Sequence, residues 1–409
     1  MSGGGAVGLT HIGVIKALEE NGIPIDYIAG SSMGALIGGM YAAGFSPAEM
    51  DSLFQTDLYQ LMAMGGVEDK YLFYFKQDHP DASLIDIKFN LDTTLQTSLP
   101  TNLRSPVLTD WEQMVDLAGA SAVSGYDMDS LFVPYRCVAS DITAQRPVVF
   151  GKGDLAQAVR ASMSYPFYFK PIRVNGHLMM DGGMYNNFPS DVMYTEFMPD
   201  IMIGSNVAFN APPPSEDDLV SQLKAIMVEH TNYSVPCEPG IIIEPKTATT
   251  LFDFTTAKQA VMDGYTAALE RMPEIKEAIA RRMRPSELQA KRRAFRAKFP
   301  PVRFGSVHVE GLTRPQTVYC ERLLDRDKGP LDDQTLKPRY FRLYADNNLS
   351  GLFPRATFKK ERGDYDLDVI AKRSKRLEVR FGGMYGSRAI NSGMLGLRYK
   401  FFGRASSRL

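Results

Sequence analysis

A strand, a sharp turn and a buried helix are predicted in direct succession near the start of the chain, and this succession constrains the fold more than any other feature. Residues 25–29 form a short apolar run typical of a buried strand, and residues 33–43 are apolar on every side. Residues 30–34, GSSMG, connect them in the pattern G-x-S-x-G. Small residues beside the serine let the backbone turn tightly, which pushes the hydroxyl group of Ser32 out of the turn.

The serine at the centre of this turn is the strongest candidate for a nucleophile. Ser32 lies where the predicted helix begins. The unpaired backbone N–H groups and the dipole of a helix start favour developing negative charge there. Serine is also common as a helix N-cap, so capping is the alternative interpretation of the same pattern.

Three consecutive glycines lie just before the first predicted helix. Gly3, Gly4 and Gly5 precede a helical pattern over residues 9–18, which Gly22 ends. A nest of N–H groups at a helix start supplies the donors that an oxyanion needs during acyl transfer. Two alternatives stay open. One is a flexible turn, and the other is a dinucleotide site, although the G-x-G-x-x-G pattern lacks an acidic residue after the next strand.

A candidate base comes much later in the chain. Asp181 ends an apolar run and is followed by Gly182 and Gly183. A carboxylate held at the end of a strand can accept a serine proton directly, without an intervening histidine. An ordinary turn is the alternative interpretation of D-G-G. A Ser-His-Asp arrangement is a further alternative, with His230 and His308 as its candidates.

Taken in order, these motifs resemble those of the patatin-like phospholipases. The resemblance depends on four segments: GGG at residues 3–5 with Gly8, GSSMG at residues 30–34, RASMSYP at residues 160–166 and DGG at residues 181–183. It implies a catalytic dyad of Ser32 and Asp181, and an oxyanion hole formed by the three glycines of residues 3–5.

The resemblance carries further expectations. It implies a lipid substrate, and no metal or organic cofactor is predicted because the oxyanion donors take the place of a Lewis acid. Val7 stands where the family usually carries Arg or Lys, and this departure is expected to weaken the handling of anions. The family's first strand normally precedes the glycine loop, so we expect an N-terminally truncated chain.

The composition limits the number of domains and the kinds of partner and site that the chain can have. The chain has 409 residues, more than one ordinary domain, and 44% of them are hydrophobic, which is ample for a core. The net charge of -1 argues against a nucleic-acid partner. The three cysteines, Cys137, Cys237 and Cys320, are too scattered for a disulfide framework or a metal site. No run approaches the roughly 20 apolar residues of a membrane helix.

Residues 1–274 are predicted to form an α/β domain of the patatin type, a three-layer sheet covered by helices. Apolar strands are predicted at residues 133–139, 146–150, 201–207 and 240–244, alternating with helical stretches. Residues 275–301 are predicted to be a basic helical linker, because nine Lys or Arg lie between Lys276 and Lys298 against two Glu. Contact with anionic headgroups is the alternative to a solvated connection.

Two more segments are predicted after the linker. Residues 302–375 resemble a POTRA module, a small α+β domain, in which Tyr365, Leu367, Val369 and Ala371 share one face of a strand. Residues 376–409 contain two alternating stretches, 377–385 and 395–401, which match the dyad pattern of membrane barrels. Two strands cannot close, so these are expected to be the opening strands of a longer β-barrel. A soluble hairpin is the alternative.

The sequence therefore predicts a lipid acyl hydrolase of phospholipase A or lysophospholipase type, acting on phospholipid or another fatty-acyl ester. Membrane association is expected, at the bacterial outer membrane or cell surface, and the oligomeric state is left open. The alternative is an outer-membrane transport or assembly protein with an inactive hydrolase-like domain. Acyl transfer to an acceptor other than water is a third hypothesis.

Overall fold

The computed structural model describes residues 1–73, 83–89, 102–325, 329–346, 348–384, 392–403 and 406–408. The helices are α1 (Thr10–Glu20), α2 (Met33–Ala42), α3 (Pro47–Phe54), α4 (Asp57–Ala63), α5 (Val107–Val123), α6 (Leu155–Ser162), α7 (Ser190–Phe197), α8 (Leu219–Met227), α9 (Ala257–Ala278), α10 (Pro285–Arg296), α11 (Arg314–Leu324) and α12 (Asp333–Tyr344). The strands are β1 (Ile28–Ser31), β2 (Ser83–Phe89), β3 (Tyr135–Asp141), β4 (Arg146–Phe150), β5 (Ile172–Val174), β6 (His177–Asp181), β7 (Met202–Ser205), β8 (Gly240–Ile243), β9 (Arg303–Glu310), β10 (Leu331–Asp332), β11 (Leu349–Lys359), β12 (Asp364–Arg373), β13 (Leu377–Met384), β14 (Ser392–Phe402) and β15 (Ser406–Arg408).

The chain forms two compact units. The first unit contains residues 1–64, 104–106 and 116–300. The second unit contains residues 65–103, 107–115 and 301–409. Most of the predicted helices and strands are present, and the first unit has a mixed α/β organisation, as the sequence predicts.

The sheet of the first unit has the order β1-β3-β6-β5, with β4 paired to β3. β1 runs parallel to β3, whereas β4 and β6 run antiparallel to it. β7 and β8 form a separate parallel pair. β3 is buried at every position, so it forms the centre on which the ends of β1 and β6 are aligned.

Helices cover these strands because each presents an apolar face. α2 is buried at every residue, as its uniformly apolar sequence predicts, and it packs on β1 and β3. α1 packs along α9, where Val14, Leu18, Met272 and Ile275 share a core cluster with β8. Burying such side chains is worth roughly 1.5–3 kcal/mol each. The first helix is thereby fixed against the body of the unit.

β1 begins later than the sequence predicts. The apolar run at residues 25–29 suggested a strand there, but pairing starts at Ile28, whose N–H donates to the carbonyl of Pro134 at 3.0 Å. Asp26 and Tyr27 are exposed. The strand boundary is set by the partner strand rather than by the apolar run.

Met1 and Ser2 lie between β1 and β7 and hydrogen bond to both. The Met1 amine donates to Ala29 O at 2.8 Å, and Ser31 N donates to Met1 O at 3.3 Å. Ser2 N donates to Ser205 O at 3.0 Å. A cavity of about 760 Å³ adjoins these residues, lined by side chains that include Ile28 and Ile203.

The basic segment predicted as a linker packs within the first unit. α9 continues to Ala278, and α10 follows from Pro285 to Arg296. The Arg292 side chain is buried and pairs with Glu19 of α1. Because Arg281, Arg292 and Arg296 pair with carboxylates elsewhere in the same unit, residues 275–300 are a structural part of that unit and differ from the solvated linker that composition suggested.

The second unit contains a four-stranded sheet of order β10-β9-β12-β11, accompanied by α11 and α12. Tyr365, Leu367, Val369 and Ala371 of β12 are all buried, as their alternation predicts. The N-terminal part of α5 contributes Trp111, whose indole N–H donates to Asp333 Oδ1 at 2.7 Å. The resemblance to a POTRA module stays a prediction.

The last strands form a second sheet in this unit, of order β15-β14-β13-β2. β13 pairs antiparallel with both β14 and β2. Tyr385, the end of the first predicted barrel strand, lies outside the described residues. Glu378 and Lys400 are buried, whereas Leu395 and Leu397 are each 70% exposed. This sheet therefore buries charged groups and exposes apolar ones.

None of the helices that the structure describes combines the length and the apolar character needed to span a bilayer.

Candidate active site

The tight turn between β1 and α2 holds Ser32 in a strained conformation. Ser32 has φ 53° and ψ -121°, and it is the residue before the first turn of α2. A Cβ at Gly30 would lie 2.3 Å from Gly34 O, and a Cβ at Gly34 would lie 2.5 Å from Ser2 O. Side chains at these two positions are therefore excluded, which is the physical reason for the G-x-S-x-G pattern.

Ser32 donates two hydrogen bonds to residues far away in the sequence. Its backbone N–H donates to Ser162 Oγ at 2.8 Å, and Ser162 Oγ in turn donates to Val138 O at 2.5 Å. Its hydroxyl group donates to Asp181 Oδ2 at 2.6 Å. The Ser32 side chain makes no capping bond to the helix, so its hydroxyl group is directed at the carboxylate.

Asp181 lies at the end of β6, where it pairs with Ala139 of the buried strand β3. Its side chain is 2% exposed, and its second oxygen, Oδ1, accepts the N–H of Gly183 at 2.8 Å. Burial raises the pKa of Asp181 to about 6, against the opposing effect of the hydrogen bonds from Ser32 and Gly183. A buried carboxylate with a raised pKa, bonded to a serine hydroxyl, is suited to accept a proton near neutral pH.

The glycine loop lies beside the serine, but its three N–H groups are not equivalent. A Cβ at Gly3 would lie 2.8 Å from Ser32 Cβ. The N–H of Gly3 donates to Asn187 O at 3.0 Å, so this predicted oxyanion donor already has an acceptor. Within the described residues, no acceptor is found for the N–H groups of Gly4 and Gly5. The loop can therefore offer Gly4 and Gly5, with Gly3 fixing its position.

The sequence predicts no role for two residues of the site, Ser162 and Asn187. Ser162 lies in the RASMSYP segment and supports the backbone of Ser32. Asn187 follows the DGG segment, and its backbone carbonyl group binds Gly3. One lies within a motif and the other shortly after one, and only the long-range contacts reveal what these polar residues do.

An aromatic wall, defined as Tyr165, Tyr168 and Phe252, lies near the carboxylate. The rings of Tyr168 and Phe252 stack with centroids 4.8 Å apart, and Tyr165 contacts Phe252 edge-on at 5.8 Å. Burial raises the pKa of Tyr165, with a further contribution from the charge of Asp181. Phe252 is half exposed, so apolar surface is available to a substrate close to the dyad.

Neither His11 nor His177 hydrogen bonds to Ser32 or Asp181. His11 is buried, with Nδ1 bonded to Ser205 Oγ at 2.7 Å and Nε2 to Ser2 O at 2.9 Å, and burial lowers its pKa to about 3. His177 Nδ1 pairs with Asp141 Oδ2 at 2.7 Å. The serine hydroxyl group bonds to the carboxylate directly, so the geometry does not favour a Ser-His-Asp arrangement with His230 or His308.

Among the described residues, no group of three or more His, Cys, Asp or Glu side chains is arranged to hold a metal ion.

Comparison with known proteins gives a family for the segment that holds this site. Residues 1–194 match the family model described as patatin-like phospholipase. This segment contains Ser32, Asp181 and the glycine loop, and the match supports a patatin-like phospholipase domain there.

Individual relatives are similar over the same segment. The chain is 32% identical over 194 residues to human "Patatin-like phospholipase domain-containing protein 6", which covers 47% of this chain and 12% of that protein. It is 31% identical over 191 residues to "Lysophospholipase NTE1" of Kluyveromyces lactis, covering 46% of this chain and 11% of the relative. It is 33% identical over 196 residues to an uncharacterized NTE family protein of Mycobacterium bovis, covering 46% and 43%. The chain thus matches only about an eighth of the length of the first two relatives.

Two solved structures also match. VipD from Legionella pneumophila is 14% identical with a TM-score of 0.34, covering 67% of this chain and 66% of that chain. The type III effector protein ExoU is 14% identical with a TM-score of 0.27, covering 71% and 52%.

Proposed function

We propose that the patatin-like domain is a lipid acyl hydrolase of phospholipase A or lysophospholipase type, with Ser32 as nucleophile and Asp181 as general base. The observation that carries the proposal is the 2.6 Å hydrogen bond from Ser32 Oγ to a carboxylate that is 2% exposed. The family match of residues 1–194 and the aromatic wall beside the dyad support a fatty-acyl ester as substrate.

Acylation follows from this geometry. Ser32 Oγ attacks the ester carbonyl carbon while its proton passes to Asp181 Oδ2. The N–H groups of Gly4 and Gly5 donate to the oxyanion that forms, and Gly3 keeps the loop in place through Asn187. The bond to the leaving alcohol then breaks, and the alcohol takes the proton from Asp181.

Deacylation uses the same groups in reverse. A water molecule attacks the acyl carbon and gives its proton to Asp181. When the second tetrahedral intermediate collapses, the bond to Ser32 Oγ breaks, Oγ recovers the proton, and the fatty acid leaves. No step requires a metal or an organic cofactor.

Membrane association belongs to this proposal. The sheet of β13 and β14 exposes Phe381, Leu395, Leu397 and Phe401 while it buries charged side chains of the same strands. Apolar side chains outside and polar ones inside is the pattern of strands that face lipid. We therefore propose that β13 and β14 face lipid as strands of a barrel type that follows a POTRA-like domain, and that the protein acts at the bacterial outer membrane or cell surface.

A transport or assembly protein with an inactive hydrolase-like domain is the second candidate. The observation that favours it is Val7, which occupies the position next to the glycine turn where a cation is usual in the family. A cation there would help to stabilise an anionic headgroup or oxyanion. Without this cation the hydrogen bond between Ser32 and Asp181 is retained, so the quantity that decides between the two candidates is the rate of acylation.

The test is serine-directed labelling combined with product analysis. The full chain is treated with a fluorophosphonate probe, and fatty acid release from mixed phospholipid vesicles is measured in parallel. We expect Ser32→Ala to lose both signals and Ser31→Ala to keep them, because Ser31 is an adjacent buried serine whose side chain does not bond Asp181. Equal signals in Ser32→Ala would remove this serine from the mechanism. Absence of both signals in the unmodified chain would favour the inactive alternative.

The membrane proposal has a separate test by vesicle flotation. We expect Leu395→Ser with Leu397→Ser to reduce flotation with phospholipid vesicles. The matched control is Leu219→Ser with Ile226→Ser on α8, whose side chains are similarly exposed, at 67% and 81%. A larger loss in the α8 control would contradict the assignment to β13 and β14.

A further inference from the structure

Asn187 is held rigidly at the boundary between the glycine loop and the base. Its backbone carbonyl accepts the N–H of Gly3 at 3.0 Å, and its backbone N–H donates to Thr231 Oγ1 at 3.4 Å. Its side-chain Nδ2 donates to the hydroxyl group of Tyr233 at 3.1 Å. With both backbone groups and Nδ2 bonded, the direction of the remaining atom, Oδ1, is fixed.

Oδ1 of Asn187 faces both halves of the dyad. A Cβ at Gly3 would lie 2.4 Å from this oxygen and 2.8 Å from Ser32 Cβ, so the oxygen and Ser32 Cβ are at most about 5 Å apart. A Cβ at Gly183 would lie 2.6 Å from it and 3.0 Å from Asp181 Oδ1, so the two oxygens are at most about 6 Å apart.

This upper bound leaves room for one bridging water molecule. Because its two O–H bonds are about 105° apart, a water molecule that donates to two acceptors at about 2.8 Å each joins oxygens about 4.4 Å apart. No hydrogen bond to Asn187 Oδ1 is found among the described residues, and Asn187 is partly exposed. The oxygen is therefore a carbonyl acceptor close to both Ser32 and Asp181, where it can accept a hydrogen bond from a water molecule.

We propose, on the basis of the function proposed above, that Asn187 is a positioning residue for the water that hydrolyses the acyl-Ser32 intermediate. The water gives one proton to Asp181 as its oxygen bonds to the acyl carbon. Its second O–H donates to Asn187 Oδ1 and orients the attacking lone pair. Collapse breaks the bond between the acyl carbon and Ser32 Oγ, which takes the proton back from Asp181, and the free fatty acid leaves.

This role makes water and alcohol acceptors behave differently. Methanol has a single O–H proton, and Asp181 accepts it. No second O–H group is then left to donate to Asn187 Oδ1. Loss of Oδ1 therefore slows hydrolysis but leaves methanolysis and the acylation step almost unchanged. A residue that merely held the glycine loop would affect acylation, hydrolysis and methanolysis together.

The experiment measures how the acyl-enzyme divides between the two acceptors. The full chain is mixed with p-nitrophenyl butyrate in 10% methanol, so that methanol is present as an acceptor at a roughly molar concentration. Stopped-flow absorbance gives the acylation burst and the steady rate, and gas chromatography gives the ratio of butyric acid to methyl butyrate. We expect Asn187→Ala to lower that ratio roughly tenfold, the effect of one lost hydrogen bond, with the burst rate within about twofold of the unmodified chain.

Matched variants separate positioning from packing. Asn186→Ala is the control, because the neighbouring amide bonds Asp191 Oδ1 at 2.8 Å and has no contact with the dyad, and its ratio is expected to be unchanged. Tyr233→Phe removes only the group that anchors Nδ2, and its ratio is expected to fall in the same direction. Asn187→Asp, assayed at pH 9 where both carboxylates are ionised, keeps an acceptor oxygen and is expected to recover the ratio.

Three results would overturn the inference. If the burst and both products fall by the same factor in Asn187→Ala and Tyr233→Phe, Asn187 only supports the loop. If the unmodified chain shows no burst and no fluorophosphonate label on Ser32, the proposed function fails and this inference fails with it. A normal burst with an unchanged product ratio in both variants removes Asn187 from deacylation while the proposed function stands.

Discussion

Asp181→Asn tests whether the folded protein is destabilised by the ionised form of the buried carboxyl group that we propose as the base. Burial raises the pKa of Asp181 from 3.8 to about 6. At about 1.36 kcal/mol per pH unit, ionising this carboxyl group inside the folded unit costs about 3 kcal/mol relative to ionising it in the unfolded chain. Asparagine has nearly the same shape and no charge, so the variant avoids this cost.

The pKa of Asp181 determines whether the stability of the unmodified protein rises or falls with pH. Between pH 3.8 and about 6 the folded chain binds more protons at this carboxyl group than the unfolded chain does. The stability of the unmodified protein therefore falls as pH rises through that window, whereas Asp181→Asn lacks this loss. The free energy of unfolding of the variant, minus that of the unmodified protein, should increase by about 2 kcal/mol between pH 4 and pH 8. Fatty acid release should be abolished.

Urea unfolding read by pulse proteolysis measures this difference. Cleavage within residues 128–190 reports on the first unit, which holds the dyad. Asp191→Asn is the control, because Asp191 is exposed on α7 and its replacement should show no such growth with pH. A difference for Asp181→Asn that is constant or shrinks from pH 4 to pH 8 would refute the argument that burial destabilises the ionised base.

Three further outcomes are expected. The rate of fluorophosphonate labelling should rise with pH and level off above about 6, because only the ionised aspartate accepts the serine proton; a flat profile from pH 5 to pH 7 would contradict this assignment. Ser162→Ala should slow labelling of Ser32 roughly tenfold, since it leaves a backbone N–H without its acceptor. Ser124→Ala, at a buried serine that bonds a carbonyl elsewhere, should leave the labelling rate unchanged. Glu19→Ala should destabilise the first unit by about 3–5 kcal/mol in urea titration, because Arg292 stays buried without its partner; a loss below about 1 kcal/mol would show that α10 is not held by this pair.

Local patterns were sufficient where one segment determines its own structure. The uniformly apolar stretch after Ser32 predicts α2, which ends within one residue of the expected position. The alternation at Tyr365 to Ala371 predicts the buried face of β12. In both cases the periodicity of apolar residues reports directly on burial.

Contacts between distant segments were not predictable in this way. The pairing of β2 with β13 joins residues almost 300 positions apart, and no local pattern specifies it. Residues 275–300 have a basic composition typical of a solvated linker, yet Arg292 forms an ion pair with Glu19 inside the first unit. Gly3 was expected to donate to an oxyanion, but the carbonyl group of Asn187 takes its N–H. Each difference depends on a partner that only the fold brings close.

In the proposed dyad of Ser32 and Asp181, burial of the aspartate takes the place of the near-neutral pKa that a histidine would supply. An exposed aspartate, with a pKa near 3.9, would be a poor proton acceptor at neutral pH. Placing Asp181 at the end of β6 against buried β3 raises its pKa to about 6, close to the value of about 6.5 for a free histidine. Hydrogen bonds hold the buried carboxylate and the serine in place: Ser32 and Gly183 donate to Asp181, and Ser162 accepts the backbone N–H of Ser32. Desolvation of Asp181 therefore does in this site what a histidine does in a Ser-His-Asp triad. The consequence is that the folded protein loses stability when Asp181 ionises.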